Sequence, residues 1–228
     1  YNMSATSNMS MKSFMPNFNK NSFTFLITII DIIVYIITLF FGIKKVPNEL
    51  LAPKFETLDT FGMKYPIKIY KGQIYRLILF AILHANLTHL ISNMISQIIL
   101  GSYLEQITGK KIIAILYILS NVGGGLFSCV FNNNPGVGAS VAILGILGAY
   151  LGHMFMNWNA DGDSFSKIFN LVFLGFFGLF SISSGESGAI DNWGHLGGFI
   201  YGFLLIFLFM EPRKDEYSVW INNKIWQK

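Results

Sequence analysis

Residues 194–202 read Gly194-His195-Leu196-Gly197-Gly198-Phe199-Ile200-Tyr201-Gly202, and the chain stays apolar from there to Met210. On a helix His195, Gly198 and Gly202 fall at successive three- and four-residue spacings, so an imidazole and two bare backbone positions share one face. Such a face admits a second helix at close range. A matching surface begins at Gly138-Ala139-Ser140, which opens an apolar run to Trp158 in which Gly148 and Gly152 continue the face below Ser140 and Leu144. Two small-residue stripes packed together would bring a serine hydroxyl and an imidazole within hydrogen-bond reach.

The surroundings of these helices follow from composition. The 228 residues are 53% apolar and 12% charged, with a mean hydropathy of +0.51. A soluble domain carries roughly a quarter charged residues, so water is not the main solvent of this chain. A span needs about 20 apolar residues, which leaves room for around six crossings and short loops. The formal charge of +4 comes from lysines and arginines spread along loops and tails, without the aromatic platform of a nucleic-acid surface, so nucleic acid is excluded as a partner. The single cysteine, Cys129, lies in an apolar run and reads as a packing thiol.

The expected organisation is an all-α membrane bundle of six helices with a long interfacial loop between the first two. The spans are read at about 23–43, 76–104, 111–131, 138–158, 168–183 and 192–210, divided by turn-forming stretches such as Asn132-Asn133-Asn134-Pro135-Gly136 and Asp161-Gly162-Asp163. Asp31, an acid within the first span, should face other helices or an interface. Residues 44–71, with Pro53, Pro66, aromatic anchors and lysines, are too polar to cross and read as an amphipathic loop on the membrane surface. The domain is expected over 23–210, between a polar tail at 1–22 and a charged tail at 211–228. The chain opens on Tyr1, as a processed or partial chain would, and residues 1–21 lack the apolar core of a signal peptide.

Six spans put both termini on one side. Tails and even-numbered loops hold Lys12, Lys20, Lys110, Lys111, Lys167, Arg213, Lys214, Lys224 and Lys228. The first loop holds Lys44, Lys45, Lys54, Lys64, Lys68, Lys71 and Arg76. The narrow excess places the N-terminus in the cytoplasm.

The second run supplies His84-Ala85-Asn86-Leu87-Thr88-His89-Leu90-Ile91-Ser92-Asn93. His89 and Asn93 are four apart and share a helical face, placed to donate hydrogen bonds to a charge developing in a transition state. His84 and His89 are five apart, about 140° around a helix, which suits no single metal, and no metal or other cofactor is expected. Ser140, at a helix start, has unpaired backbone N–H groups beside it that would stabilise an oxyanion, and His195 is its candidate base. Taken singly, each of these residues also fits a structural role, as a helix cap or an interhelical hydrogen bond.

Together they resemble the rhomboid family of intramembrane serine proteases over about residues 72–202. His84, His89 and Asn93 match His-x-x-x-x-His-x-x-x-Asn, Gly138-Ala139-Ser140 matches Gly-x-Ser, and His195, Gly198 and Gly202 match His-x-x-Gly-x-x-x-Gly. Tyr75-Arg76, Gly101, Glu105, Gly109 and Asp191-Asn192-Trp193 are also similar. The resemblance implies a Ser140–His195 dyad with no third acid, and an oxyanion hole of His89, Asn93 and the Ser140 N–H. It makes His84 a support for the second helix, and gives Arg76 and Glu105 the task of holding the interfacial loop. The implied substrates are single-span membrane proteins in the lipid bilayer, cut within or near their transmembrane segment. The expected location is a plasma or secretory-pathway membrane rather than a mitochondrial one.

Two positions depart from the family pattern. Val141 stands where many relatives have glycine, which is expected to crowd the nucleophile or alter its pocket, and Gly194 stands where alanine is common. An inert relative that binds membrane helices and affects their trafficking or degradation is the alternative, and a transporter or channel is a third class, disfavoured by the lack of paired inverted repeats.

Overall fold

A computed structural model describes residues 18–44, 50–158, 164–183 and 191–212. Most of the expected N-terminal tail, the C-terminal tail from residue 213 and the turn at 161–163 lie outside the described residues. The long elements are helices α1 (Phe23–Phe40), α5 (Leu87–Phe131), α6 (Ser140–Met156), α7 (Ser164–Ser183) and α8 (Asn192–Phe209). Between α1 and α5 lie strands β1 (Ile43–Lys44) and β2 (Ala52–Pro53) and the short helices α2 (Phe55–Phe61), α3 (Pro66–Tyr70) and α4 (Arg76–Leu79). The two strands, antiparallel with Ile43 opposite Pro53, were not expected in an all-helical chain.

Helix α1 is built inside out. Its buried residues are Thr24, Thr28, Asp31, Tyr35 and Thr38, at three- and four-residue spacing, while Ile29, Ile30, Ile33, Ile36 and Phe40 are exposed. A surface of that kind suits hydrocarbon, and the inward polar groups are bonded within the bundle. Asp31 does face another helix: its Oδ2 accepts the Gln97 amide at 2.8 Å, and Gln97 in turn accepts the Tyr117 hydroxyl at 2.9 Å. Ser22 caps the helix by accepting the Phe25 N–H at 3.1 Å.

The second span does not begin at Arg76. Four residues of α4 and a 3₁₀ turn at Phe80–Ile82 lead into extended backbone at Leu83, and α5 starts only after Asn86, whose side chain accepts the His89 N–H at 2.8 Å. An apolar composition alone does not distinguish this broken stretch from a continuous helix; the cap does. Near its midpoint α5 joins the second and third expected spans. Gly109, at φ +77°, interrupts the helix, so α5 is two helices meeting at a left-handed glycine. Among the described residues, α1, α5 and α8 are long and apolar enough to cross a membrane, with shorter apolar helices at Ser140–Met156 and Lys167–Phe180.

The core lies where α5, α6 and α8 meet, around Leu104, Ile113, Leu116, Ala142, Ile143, Ile146 and Ile206. Helix α6 is flanked by both others, and this arrangement positions the polar residues at its N-terminal end.

Candidate active site

The α6–α8 contact is nearly backbone against backbone. A Cβ placed on Gly202 would lie 1.9 Å from the Gly145 carbonyl oxygen, one on Gly198 2.2 Å from that of Val141, and one on Gly148 2.1 Å from that of Phe199. Real Cβ atoms do not approach so closely, so these positions admit only glycine at this helix separation. The expected stripes are therefore in contact, joined by Gly145, which the sequence reading missed. Helix α5 adds a third bare surface at Gly124, where a Cβ would lie 2.6 Å from the Gly198 nitrogen.

This close approach places Ser140 Oγ 2.7 Å from His195 Nε2, across 55 residues of sequence, with both residues buried. Ser140 is the first residue of α6, so its backbone N–H has no partner within the helix. His195 Nδ1 has no hydrogen-bond partner among the described residues.

Gly138 adopts φ +125° and donates its N–H to Phe80 O at 2.9 Å, which anchors the turn into α6. A side chain there would also strike His89: a Cβ would stand 2.8 Å from its Nε2 and 3.7 Å from Ser140 Oγ. The two reactive atoms thus flank a common point above Gly138. His89 Nδ1 accepts the Ala85 N–H at 3.4 Å, which leaves the ring proton on Nε2, facing that point. Asn93 lies one turn along α5, fully buried, and its amide donates to His89 O at 2.8 Å. His84 belongs to the extended segment before α5 rather than to a helix, and its ring packs edge-on against His89 at 5.4 Å.

The supporting residues divide in two. Arg76 holds the interfacial loop as expected: its guanidinium donates to Asp59 O at 3.0 Å, Met63 O at 2.9 Å and Gln73 Oε1 at 2.7 Å, and lies 3.2 Å from the Asp59 carboxylate. Glu105 does not hold that loop. It accepts the N–H groups of Phe23 and Thr24 at 2.7 and 2.9 Å and the Thr24 hydroxyl at 2.7 Å, clamping the start of α1. The unpaired N–H groups and positive end of a helix attract a carboxylate more strongly than a loop does.

Val141, beside the nucleophile, lies between helices. It is 2% exposed and its methyl groups occupy the hollow left by Gly124, Gly194 and Gly198: Cβ atoms there would lie 2.5, 3.2 and 3.1 Å from them. The valine packs into α5 and α8 and fills space between the helices.

Asp191, Lys64, Ser128 and Asn132 were not singled out as site residues by the sequence reading. Asp191 caps α8, accepting the Gly194 N–H at 3.0 Å, and its carbonyl accepts the His195 N–H at 2.9 Å. Its carboxylate also accepts from Ser128 Oγ at 2.6 Å and Asn132 at 3.2 Å, and is paired with the Lys64 ammonium. Burial works against its charge, yet Lys64 and these hydrogen bonds hold the carboxyl below the usual carboxylate range. For Asp191 the signals in the sequence were an acid in the N-cap position before a glycine-rich helix and the similarity of Asp191-Asn192-Trp193 to the family pattern.

Residues 71–212 match the Rhomboid domain family. RHOMBOID-like protein 1 of Arabidopsis thaliana is 38% identical over 178 residues, covering 77% of this chain and 45% of that protein. Rhomboid-like protease 1 of Toxoplasma gondii is 33% identical over 208 residues, 90% of this chain and 69% of the protease, and Rhomboid-like protease 2 of the same organism is 34% identical over 190 residues, 82% and 65%. The chain spans about half the length of the Arabidopsis relatives it matches. With its apolar helices and a domain match over more than half its length, this chain is an integral membrane protein that belongs to the rhomboid family.

Proposed function

We propose that the chain is a serine endopeptidase that cuts single-span membrane proteins within or near their transmembrane segment. The observation that carries this reading is the 2.7 Å contact between Ser140 Oγ and His195 Nε2, buried between helices that only glycine stripes allow so close. In this reading Nε2 accepts the serine proton as Oγ attacks the scissile carbonyl, and returns it to the departing amine. The oxyanion is held by the Ser140 N–H, the His89 Nε2–H over Gly138 and the Asn93 side-chain amide. Water then hydrolyses the acyl-enzyme by the same proton transfers in reverse. Burial strengthens each positioned donor relative to its value in water. Asn93, one turn along α5 from His89, is read as the third oxyanion donor, and its amide bond to the His89 carbonyl also fixes the first turn of that helix.

The bundle is read as six spans over 23–210, with α5 counted as two, Asp31 and Glu105 locking α1 to it, and the N-terminus cytoplasmic in a plasma or secretory-pathway membrane. The packing of Val141 between helices supports this reading over that of an inert helix-binding relative. The test is cleavage of a single-span reporter in membranes: the wild type cuts and Ser140→Ala does not. Equal cleavage by both would remove this reading.

A further inference from the structure

Lys64 lies in the interfacial loop between α2 and α3, far from both reactive side chains in sequence, yet it is 0% exposed. A lysine is almost never fully buried unless it is paired, and this one has two partners, the Asp191 carboxylate and the Ser128 hydroxyl. Its backbone is committed as well. Lys64 N–H donates to Gly136 O and Gly136 N–H donates to Lys64 O, both at 2.9 Å. Gly136 admits the lysine stem because it has no side chain; a Cβ there would lie 3.3 Å from Lys64 Cε and 3.7 Å from Asp191 Oδ2.

These bonds run to the two halves of the site. Gly136 lies four residues before Ser140, on the loop whose next anchor is the Gly138 N–H on Phe80. Asp191 lies four residues before His195 and holds the first turn of α8 through Gly194 N–H and His195 N–H. A single residue therefore grips the approach to the nucleophile through its backbone and the approach to the base through its side chain. A buried ion pair is a poor source of stability, because desolvation offsets most of the attraction, and apolar replacements of such pairs are often neutral. Geometry is the better account of this one.

We propose that Lys64 is a positioning residue, which with Asp191 fixes Ser140 relative to His195 and ties that geometry to the interfacial loop. The proposal rests on the Ser140–His195 reading of the site. Neither Lys64 nor Asp191 has a part in bond making. A change at either shifts the pair of reacting groups, and a misplacement of about 1 Å costs on the order of 100-fold in rate.

The test uses purified Lys64→Met, Asp191→Asn and the double variant in lipid vesicles, with wild type and Ser140→Ala alongside, read as kcat and KM on a single-span reporter and as thermal melting. Asp191→Asn keeps the shape and an acceptor for the α8 cap. The expected result is a loss of about 100-fold in kcat for each single variant, KM within about twofold, melting lowered but still above the assay temperature because one member of a buried pair is left alone, and a double variant no slower than the slower single. Full kcat in a folded Lys64→Met, or single losses that multiply in the double variant, would overturn the proposal. Should Lys64→Met not fold, Asp191→Asn decides: lost kcat in protein still folded at the assay temperature supports the proposal, and retained kcat overturns it. A wild type that cuts no faster than Ser140→Ala removes the dyad reading itself, and the positioning role with it. That outcome is distinct from an active wild type whose Lys64 variants are unimpaired.

Discussion

Glu105, four residues before the break in α5, holds Thr24 at the start of the first helix by both its backbone N–H and its hydroxyl, at 2.9 and 2.7 Å. With Phe23 N–H as a third donor, the carboxylate acts as a cap supplied by another helix. It is also the place where Gly101 meets Thr24, since a Cβ on Gly101 would lie 2.9 Å from that side chain. Glu105→Ala should lower the unfolding free energy by about 2–3 kcal/mol, the worth of hydrogen bonds to a buried charge, while Glu105→Gln keeps one acceptor and loses less. Thermal or denaturant unfolding in detergent checks this; equal stability of Glu105→Ala and wild type would show that α1 is held by other means.

The glycine contacts predict a separation of stability from rate. Gly202→Ala sets a methyl against the Gly145 carbonyl oxygen, where nothing flexible can yield, so α6 and α8 must part. The expected cost is about 1–3 kcal/mol in stability. Reporter cleavage should fall further, since the Ser140–His195 contact opens. Gly175→Ala, with no atom within 4 Å of the new methyl, is the control and should leave both unchanged. Comparable loss in the two variants would mean that the stripe has no special role.

His89 and Asn93 should separate in kinetics. His89 Nε2 faces the hollow shared with Ser140, so His89→Ala should cost about 100- to 1,000-fold in kcat, as for an oxyanion donor in a soluble protease. Asn93→Ala, which removes a bond to the His89 carbonyl, should cost less and leave KM unchanged. A larger loss at Asn93 would reverse the roles assigned to the two side chains.

The Asp191 carboxyl is more acidic in the folded protein than the ordinary 3.8, once Lys64 and its hydrogen bonds have outweighed burial. A depressed folded value means that the stabilisation is present above about pH 4 and is lost as pH falls through the folded value. Below pH 4 the wild type should therefore lose stability more steeply than Asp191→Asn. Parallel melting curves of the two proteins from pH 6 down to pH 3 would contradict this.

Much of the site was legible because membrane helices offer few polar residues. Ser140, His89 and His195 stand out in apolar runs, and glycine spacing told which helices meet. Glycines also hid the closest contact, since Gly145 lies beside the predicted stripe and only the backbone shows that it faces Gly202. Arg76–Ile82 reads as span because apolar letters do not reveal that Gly138 draws the Phe80 carbonyl out of a helix. Glu105 was attributed to the wrong partner for a similar reason: an acid's spacing gives its face, whereas its bond depends on which helix end lies opposite. Lys64 carried no signal at all. Nothing local marks Lys64 for burial among the lysines of the first loop, and its partner is 127 residues away.

The most direct test of the central claim is fluorophosphonate labelling of folded protein in lipid vesicles, with the adduct mapped by mass spectrometry. One adduct is expected, on Ser140, absent from Ser140→Ala and formed at least about 100-fold more slowly in His195→Ala. An adduct that forms as fast in His195→Ala as in wild type, or that survives in Ser140→Ala, would contradict it.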